Sequence, residues 1–564
     1  MKKSKETFTI TAALPYANGP IHIGHLAGVY IPADIYARFK RLTKNDVAFI
    51  CGSDEHGVAI SLASKKASIS PKELIDKYDN IIKSSFQKFG ISFDNYSRTS
   101  KKIHYETSID LFNLLKDKDL FSLIESEQFF DLNENQFLAD RYITGDCPVC
   151  NYQEAYGDQC EKCGSALSPE ELKNPKSTIS DSTPILKKTK HYYIKLNEFE
   201  DFLRNWITVE NKDIWKANVI GQVKSWLDSG LKPRAVTRDL DWGIPIQVDG
   251  DDGKVLYVWF EAPIGYISST KEWAAKKNKD WEHYWKSPNT NLIHFIGKDN
   301  IVFHCVIFPI MLKMFGDFIL PKNVPANEFL NLEGEKISTS KNWAVWLHEY
   351  LLEFPNMQDV LRYVLTATCP ETKDNDFTWK EFQTRNNSEL VSIYGNFTNR
   401  VLSLIDNYYD GNIPRSDLIN KIDKQVLEKV KDLKNLIMIS LNNFKFREAL
   451  KNLMNIARLG NKYLADNEPW KIKNDNPKRV EEILSISFII VSYLAILSEP
   501  FIPFTSIKLK DMIGMKEYDW NDLDNLKDEI DFNFKINNKE MLFRRIEDTE
   551  IEYQKNKLLN KSIN

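Results

Sequence analysis

At 564 residues the chain is too long for one hydrophobic core, and length alone predicts about three to five domains. An apolar share of 42% and a charged share of 27% are those of a soluble globular protein. The net charge of −4 gives no overall basic field, so any contact with nucleic acid must come from local patches. The opening Met1-Lys2-Lys3-Ser4-Lys5-Glu6 carries no signal-peptide architecture and turns at once into a strand pattern. The longest apolar run, Ile483 to Ser498, is broken by four serines and falls short of the ~20 residues a membrane span needs. A buried bundle helix is expected there, and no membrane. Seven cysteines, four of them in one compact pattern, are too few for a secreted disulfide framework, so the expected location is the cytoplasm.

Thr7 to Ala13 alternates apolar residues as a strand does. Leu14-Pro15-Tyr16-Ala17-Asn18-Gly19-Pro20 is dense in turn-formers, and a helical pattern runs from Ile21-His22-Ile23-Gly24-His25 to Arg41. Strand, Gly/Pro turn and helix start is how α/β folds present helix N-termini to anions. His22 and His25, three residues apart, share one face of the first helical turn. Gly24 between them would let a flat ligand approach the backbone. A nucleotide triphosphate suits this corner; a plain polar helix start is the alternative on those four residues alone. Val47 to Cys51 reads as a second buried strand, ending in Gly52-Ser53-Asp54-Glu55-His56-Gly57. Helices follow, with Pro71 at a helix start and an amphipathic run from Glu73 to Phe89. This alternation predicts a parallel sheet with ligands at the carboxyl ends of its strands. Asp54 is then placed to meet a cationic group, or to act as an N-cap.

From about Asp119 to Gly230 the βα alternation stops. Cys147-Pro148-Val149-Cys150 and Cys160-Glu161-Lys162-Cys163, nine residues apart, suit two knuckles offering four thiolates to one tetrahedral Zn²⁺, with Gly164 freeing the second turn. Disulfides or free thiols are the alternatives. Four thiolates leave no open position, so the metal would be structural. Strand character returns at Val255 to Phe260, followed by Glu261-Ala262-Pro263-Ile264-Gly265-Tyr266. It returns again at Leu292 to Ile296, followed by Gly297-Lys298-Asp299-Asn300 and His304. The zinc segment therefore reads as an insertion between two halves of one nucleotide-binding domain. Leu330 to Ser338 resembles a hairpin with a Glu-Gly turn, leading to Thr339-Ser340-Lys341. A loop of lysine and hydroxyls can wrap phosphates, or be merely solvated. From about Asn386 the chain is helical, with Leu390, Tyr394, Phe397, Val401 and Leu404 as a bundle-facing stripe. Asn396 and Arg400 flank the stripe, and Trp470 sits in a helix-breaking turn. Together they could read unpaired bases, or be a solvated pair and a core tryptophan.

These motifs together resemble the class I aminoacyl-tRNA synthetases, and within them the methionyl-tRNA synthetase family, over nearly the full length. Ala13-Leu14-Pro15-Tyr16-Ala17-Asn18-Gly19 with His22-Ile23-Gly24-His25 is similar to that family's first signature. Lys336-Ile337-Ser338-Thr339-Ser340 is similar to the second, usually written Lys-Met-Ser-Lys-Ser. The resemblance implies an α/β fold: a Rossmann-type parallel-sheet catalytic domain split by a zinc-binding connective insertion, then an α-helical anticodon-binding bundle. The expected partition is 1–118 and 231–325 for the two catalytic halves and 119–230 for the insertion. It continues with 326–386 for a signature-loop linker, 387–540 for the bundle and 541–564 for a charged tail. The implied partners are ATP, L-methionine and the initiator and elongator methionine tRNAs, with Zn²⁺ and, alongside ATP, Mg²⁺.

By resemblance His22, His25 and Lys336 are catalytic, and Tyr16, Asn18, Gly24, Ser338, Thr339 and Ser340 join them on ATP. Asp54 pairs with the α-ammonium of methionine. Ala13, Leu14, Tyr16, Trp259, Ala262, Pro263, Tyr266 and His304 surround its side chain, with Asp299 on the ribose or the amino acid. Asn396, Arg400 and Trp470 read the anticodon. Thr339 stands where the family has a second lysine, which leaves the phosphate clamp to Lys336, aided by Lys341. Synthetases for leucine, isoleucine or valine are the nearest rivals, but about 110 residues of insertion leave little room for their editing domain. Small cofactor-making nucleotidyltransferases would not need the helical third, and a zinc-bearing RNA-binding protein would leave the first corner idle. Some members append a further dimerising module after the bundle; its absence here leads to the expectation of a monomer.

Overall fold

The computed structural model describes every residue except 1–4, 139, 158–159, 161, 164–166, 168, 247–252, 417–419, 516, 527–529, 537–538 and 564. Gly164, expected to free the second knuckle, lies outside the described residues. Strand β1 (Thr7–Ala12) is buried on both faces, as a central parallel strand must be. It pairs in parallel with β2 (Asp46–Ser53), and beyond that lies β3 (Asn95–Arg98). On its other side it pairs with β4 (Thr290–Gly297), which in turn carries β5 (Ala326–Asn327). The order β5-β4-β1-β2-β3 puts the carboxyl ends of β1, β2 and β4 side by side. Ile10 faces both Phe49 and Ile293 across the sheet, and all three are buried in the main core.

One expected strand is different. Val255 to Phe260 contributes only Lys254–Leu256, which pairs with Thr237–Asp239 outside the central sheet, and Val258–Glu261 is already helical. A short apolar run has no periodicity of its own, and here it coils so that Trp259, Phe260 and Glu261 are all buried.

The insertion is a long antiparallel pair, Phe121–Asp131 with Ile185–Ile194. Beyond it lies a small three-stranded sheet, Ala155–Tyr156, Ile143–Asp146 and Lys173–Ser177. This tip has its own core, in which Leu138, Tyr142, Ile143, Ala155 and Leu172 surround Cys147 and Cys160. The helices Glu200–Asn205 and Ala217–Asp228 pack instead on the main core through Leu203, Val219, Val223 and Leu227. Trp215 Nε1 also donates to the Lys322 carbonyl at 2.9 Å. By packing, then, the 119–230 segment divides into a tip with its own small core and a flank on the main core.

Leu330–Leu332 and Glu335–Lys336 form the anticipated hairpin, with Glu333 and Gly334 at φ of 51° and 83°. The linker helix Gln358–Ala367 is bolted to the helix that follows β1 by Arg362. Its guanidinium donates to Asp34 Oδ2 at 2.7 Å and to the carbonyls of Phe501 at 3.0 Å and Pro500 at 3.1 Å. In the bundle Leu390, Tyr394, Phe397 and Val401 are buried as the stripe requires, with Leu402 and Ile405 deeper than Leu404. Gly460 lets the helices cross closely, since a Cβ there would lie 2.3 Å from the Phe397 ring. Pro477–Leu497 is the one described helix long and apolar enough to cross a bilayer, and 89% of its apolar window is buried within the protein. The charged final stretch is a docked helix. Helix Asp548–Ile563 docks beside the linker, where Gln554 donates to Glu353 at 2.7 Å and Lys557 pairs with Glu349 at 2.8 Å.

Candidate active site

The turn after β1 is pinned to the end of β2: Asp54 N donates to the Pro15 carbonyl and Ala17 N to the Asp54 carbonyl, each at 2.8 Å. This leaves Tyr16 and Asn18 exposed at the mouth. His22 caps the following helix with its own ring, Nδ1 accepting from the amides of Gly24 at 3.1 Å and His25 at 3.4 Å. His25 Nδ1 accepts from the His22 amide at 3.3 Å. An Nδ1 that accepts cannot carry the proton, so both imidazoles hold it on Nε2 and present Nε2–H as a donor. The rings stack with centroids 3.6 Å apart. Burial holds the His25 pKa down to about 4, and burial with the neighbouring His25 lowers that of His22 well below its ordinary value. Both are therefore neutral donors at pH 7, not cations.

Gly24 has a packing role that the sequence did not reveal. A Cβ there would sit 2.9 Å from His22 Cε1 and 3.1 Å from Ile337 Cδ1, so the missing side chain also admits the second signature. The two signatures also share backbone. Ile23 N donates to the Val345 carbonyl at 3.1 Å and Leu347 N to the Ile21 carbonyl at 2.8 Å. Trp346, not singled out in the sequence, lies edge-on to His22 at 5.9 Å, and its Nε1 donates to Asn342 Oδ1 at 2.9 Å. The hydroxyl loop is a tight turn closed by paired backbone bonds between Ser338 and Trp343 at 3.0 and 2.9 Å. Ser338 Oγ lies 3.2 Å from Ser340 Oγ and accepts from the Lys341 amide at 3.3 Å. Thr339, Ser340 and Lys341 are exposed. Lys336 rests its ammonium over the Phe329 ring at 5.7 Å, a ring that Lys298 also covers at 4.2 Å.

The apolar side of the corner is built from β1, β4 and the helix Ile264–Lys277. Tyr266 donates its hydroxyl to His304 Nε2 at 2.8 Å, a direction set by His304 Nδ1–H donating to the Asn300 carbonyl at 3.0 Å. Burial lowers the His304 pKa to about 4, so this pair too is uncharged. Gly265 lets Leu14 close on the helix, for a Cβ would meet Leu14 Cδ1 at 2.9 Å. Ala13 takes its place through N–H to the Phe295 carbonyl at 2.9 Å and a carbonyl that accepts from Tyr30 at 3.0 Å. Trp259 is buried with its ring under the Arg234 guanidinium at 5.1 Å; Pro263 is buried and Ala262 half-buried. Asp54 is buried and its Oδ1 has no hydrogen-bond partner, which fits a carboxylate awaiting a cation and excludes the N-cap alternative, since Gly57 caps the next helix. Asp299 is exposed at the rim, and Gly297 makes room for its carboxylate.

Sequence reading missed the buried layer beneath Asp54. Glu261 accepts from His56 Nδ1 at 3.1 Å and from His104 Nε2 at 2.6 Å, and none of the three side chains is more than 1% exposed. A polar residue inside an apolar run was the available signal.

The four insertion cysteines converge, with every Sγ within 4.8 Å of the others. Cys147 to Cys163 is 3.8 Å and Cys150 to Cys160 is 3.6 Å, too far for disulfides. A tetrahedron with ~2.3 Å metal–sulfur bonds has edges of about 3.8 Å, so the set can hold a metal ion and fits zinc. In the bundle Arg400 and Trp470 meet. Arg400 lies 5.0 Å over the Trp470 ring, which is 38% exposed, while Asn396 donates to Asn461 at 3.2 Å. The core-tryptophan alternative is thereby excluded.

Residues 8–402 match the family described as tRNA synthetases class I (M), and residues 413–561 match the anticodon binding domain of methionyl tRNA ligase. The methionine–tRNA ligase of Flavobacterium johnsoniae is 58% identical over 585 residues, spanning 99% of this chain and 82% of that relative. The methionine–tRNA ligase of Flavobacterium psychrophilum is 59% identical over 559 residues with the same shares. Among solved structures, the Mycobacterium tuberculosis methionyl-tRNA synthetase in complex with methionyl-adenylate has a TM-score of 0.78 at 23% identity. It covers 96% of this chain and 100% of that one, a likeness of fold.

Proposed function

Because the chain belongs to the methionine–tRNA ligases of the class I tRNA synthetases, we propose that His22, His25 and Lys336 handle its ATP while Asp54 and the Tyr266 wall hold its methionine. The enzyme activates L-methionine with ATP to methionyl-adenylate and pyrophosphate, then transfers the methionyl group to the 3′ end of methionine tRNA. The rival readings, a synthetase for a branched amino acid, a cofactor nucleotidyltransferase or a non-enzyme, fall with that membership.

One observation carries the assignment of roles. Two neutral imidazoles spend Nδ1 on the helix cap and so present paired Nε2–H donors beside the hairpin that bears Lys336. The methionine carboxylate attacks the α-phosphorus, and the P–O bond to pyrophosphate breaks as negative charge spreads over the phosphate oxygens. Fixed donors aimed at that charge, with the reactants held in line, are sufficient for this chemistry. Being uncharged, His22 and His25 supply hydrogen bonds; the positive charge must come from Lys336, which is exposed and need only leave Phe329 to reach the pyrophosphate end. Mg²⁺ enters as the ATP complex. Tyr16, Asn18 and Gly24 on one side and Ser338, Thr339 and Ser340 on the other complete the nucleotide site. Asp54 takes the α-ammonium. Ala13, Leu14, Tyr16, Trp259, Ala262, Pro263, Tyr266 and His304 line the thioether pocket, whose aromatic edges suit sulfur, and Asp299 lies at its rim.

The four cysteines would hold a structural Zn²⁺ that fixes the insertion tip, and Asn396, Arg400 and Trp470 would stack and hydrogen-bond anticodon bases of both initiator and elongator tRNA. A cytoplasmic monomer completes the reading. Methionine-dependent ATP–pyrophosphate exchange tests the phosphate clamp. Lys336→Ala should lower kcat by ~10²-fold or more, with Lys341→Ala mild. The reverse order of severity would move the clamp to Lys341.

A further inference from the structure

Glu261 lies between the two halves of the methionine pocket. It directly precedes Ala262 and Pro263, so its backbone is the start of the pocket wall. Its carboxylate is gripped by His56, two residues beyond Asp54, at 3.1 Å, and by His104 from the helix Lys102–Asp117 at 2.6 Å. His56 Nε2 is in turn 3.1 Å from the Tyr105 hydroxyl, and His104 Nδ1 is 3.0 Å from Ser268 Oγ. Within this array Glu261, His56 and His104 are thus bonded inside the protein, while Asp54 Oδ1 above them and Glu55 Oε2 beside them have no hydrogen-bond partner among the described residues. The other charged groups around it are Asp54 itself and Glu55, the latter bonded to Arg98 at 2.7 Å.

We propose that Glu261 is a positioning residue for methionine: it clamps the pocket wall to the Asp54 loop and supplies a second negative charge beneath the site of the α-ammonium. The proposal rests on the reading of Asp54 as the ammonium partner. The Asp54 carboxylate is bonded by the backbone of His56, and the His56 side chain ties that same loop to Glu261. Charge is the second contribution. Burial, then Glu261, then Glu55 raise the Asp54 pKa well above the ordinary carboxylate value, and a cation beside it favours the ionised form. Burial works against the Glu261 charge too, but His56 and His104 hold its pKa below the usual range. As pH falls, Asp54 takes up a proton and methionine affinity is lost.

Methionine-dependent pyrophosphate exchange, measured from about pH 5.5 to about pH 8.5, tests this with separate KM values for methionine and ATP. Glu261→Gln should raise the methionine KM about tenfold and leave the ATP KM alone. It should also displace the acid limb of kcat/KM for methionine to lower pH, because Asp54 loses a like-charged neighbour. His104→Gln, which removes one of the two groups that hold Glu261 ionised, should displace the limb in the same direction as Glu261→Gln. Methionine and ATP KM values rising together, with no movement of the limb, would reduce Glu261 to packing and overturn the proposal. If Glu261→Gln does not fold, His104→Gln decides alone: an unmoved limb overturns it. Asp54→Asn separates the two failures, since an unchanged methionine KM in that variant overturns the premise, and a raised one confines the failure to Glu261.

Discussion

Arg362→Met removes the guanidinium that joins the first signature's helix, the linker helix and the bundle. Arg362 and Asp34 are both 0% exposed, so solvent screens nothing there. The substitution orphans the carbonyls of Pro500 and Phe501, at about 1–3 kcal/mol each. Asp34 keeps Arg38 at 2.8 Å and the amide and hydroxyl of Ser92 at 2.7 and 2.6 Å, so it does not become an unpaired buried charge. The full ~3–5 kcal/mol cost of breaking a buried pair is therefore an upper bound. Methionine also keeps the apolar stem, and the expected loss is roughly 2–4 kcal/mol. Urea unfolding followed by far-UV circular dichroism would measure it, with Lys102→Ala, an 88% exposed ion-pair residue, as the control. Burial pushes the Asp34 pKa up, but Arg38, Arg362 and Ser92 prevail and hold it below the usual carboxylate range. A depressed folded pKa contributes stability that is present above the unfolded value and lost as pH falls below about 4, so the gap between wild type and Arg362→Met should narrow in acid. An unfolding free energy for Arg362→Met within ~0.5 kcal/mol of the control would refute the reasoning.

Because burial keeps both signature imidazoles neutral, kcat/KM for ATP should show no histidine limb between about pH 6 and about pH 8. An acid limb near pH 6.5 that disappears in His25→Gln would contradict this. Trp470→Ala should cost ~1–3 kcal/mol in aminoacylation of methionine tRNA and leave adenylate formation untouched, since the ring is 38% exposed and little core depends on it. Equal loss in both steps would return Trp470 to a structural role. Metal analysis should find about one zinc per chain, lost in Cys147→Ser together with protease resistance of the insertion tip. A metal-free wild type with an equally resistant tip would refute the assignment.

What could be read without coordinates was whatever local chemistry repeats itself in the chain. The two Cys-x-x-Cys pairs name their own geometry, and the four sulfurs do converge. The β1 and β2 strands, the Glu333-Gly334 turn and the bundle stripe follow from period and turn chemistry. What escaped depends on long-range packing. Val255 to Phe260 is apolar enough for either strand or helix, and tertiary contacts coil it at Val258. That Gly24 also faces Ile337, more than three hundred residues on, could not be read from the chain. Glu261, His56 and His104 have no evident connection until three separate elements bring both imidazoles within 3.1 Å of the Glu261 carboxylate.

The order of the central sheet also bears on how the enzyme is made. β1 is flanked by β2, which follows it closely, and by β4, which begins roughly 280 residues later. At about 5–20 residues per second a ribosome needs on the order of 14–56 s to supply that second neighbour. Throughout that interval β1, buried on both faces in the finished protein, offers the nascent chain an unpaired and apolar edge. The two signatures wait longer still, because the backbone bonds that join Ile21 and Ile23 to Val345 and Leu347 can form only once the linker has been synthesised. Catalytic competence is thus a late event in biosynthesis, and the first half of the chain must be shielded until its partner strand arrives.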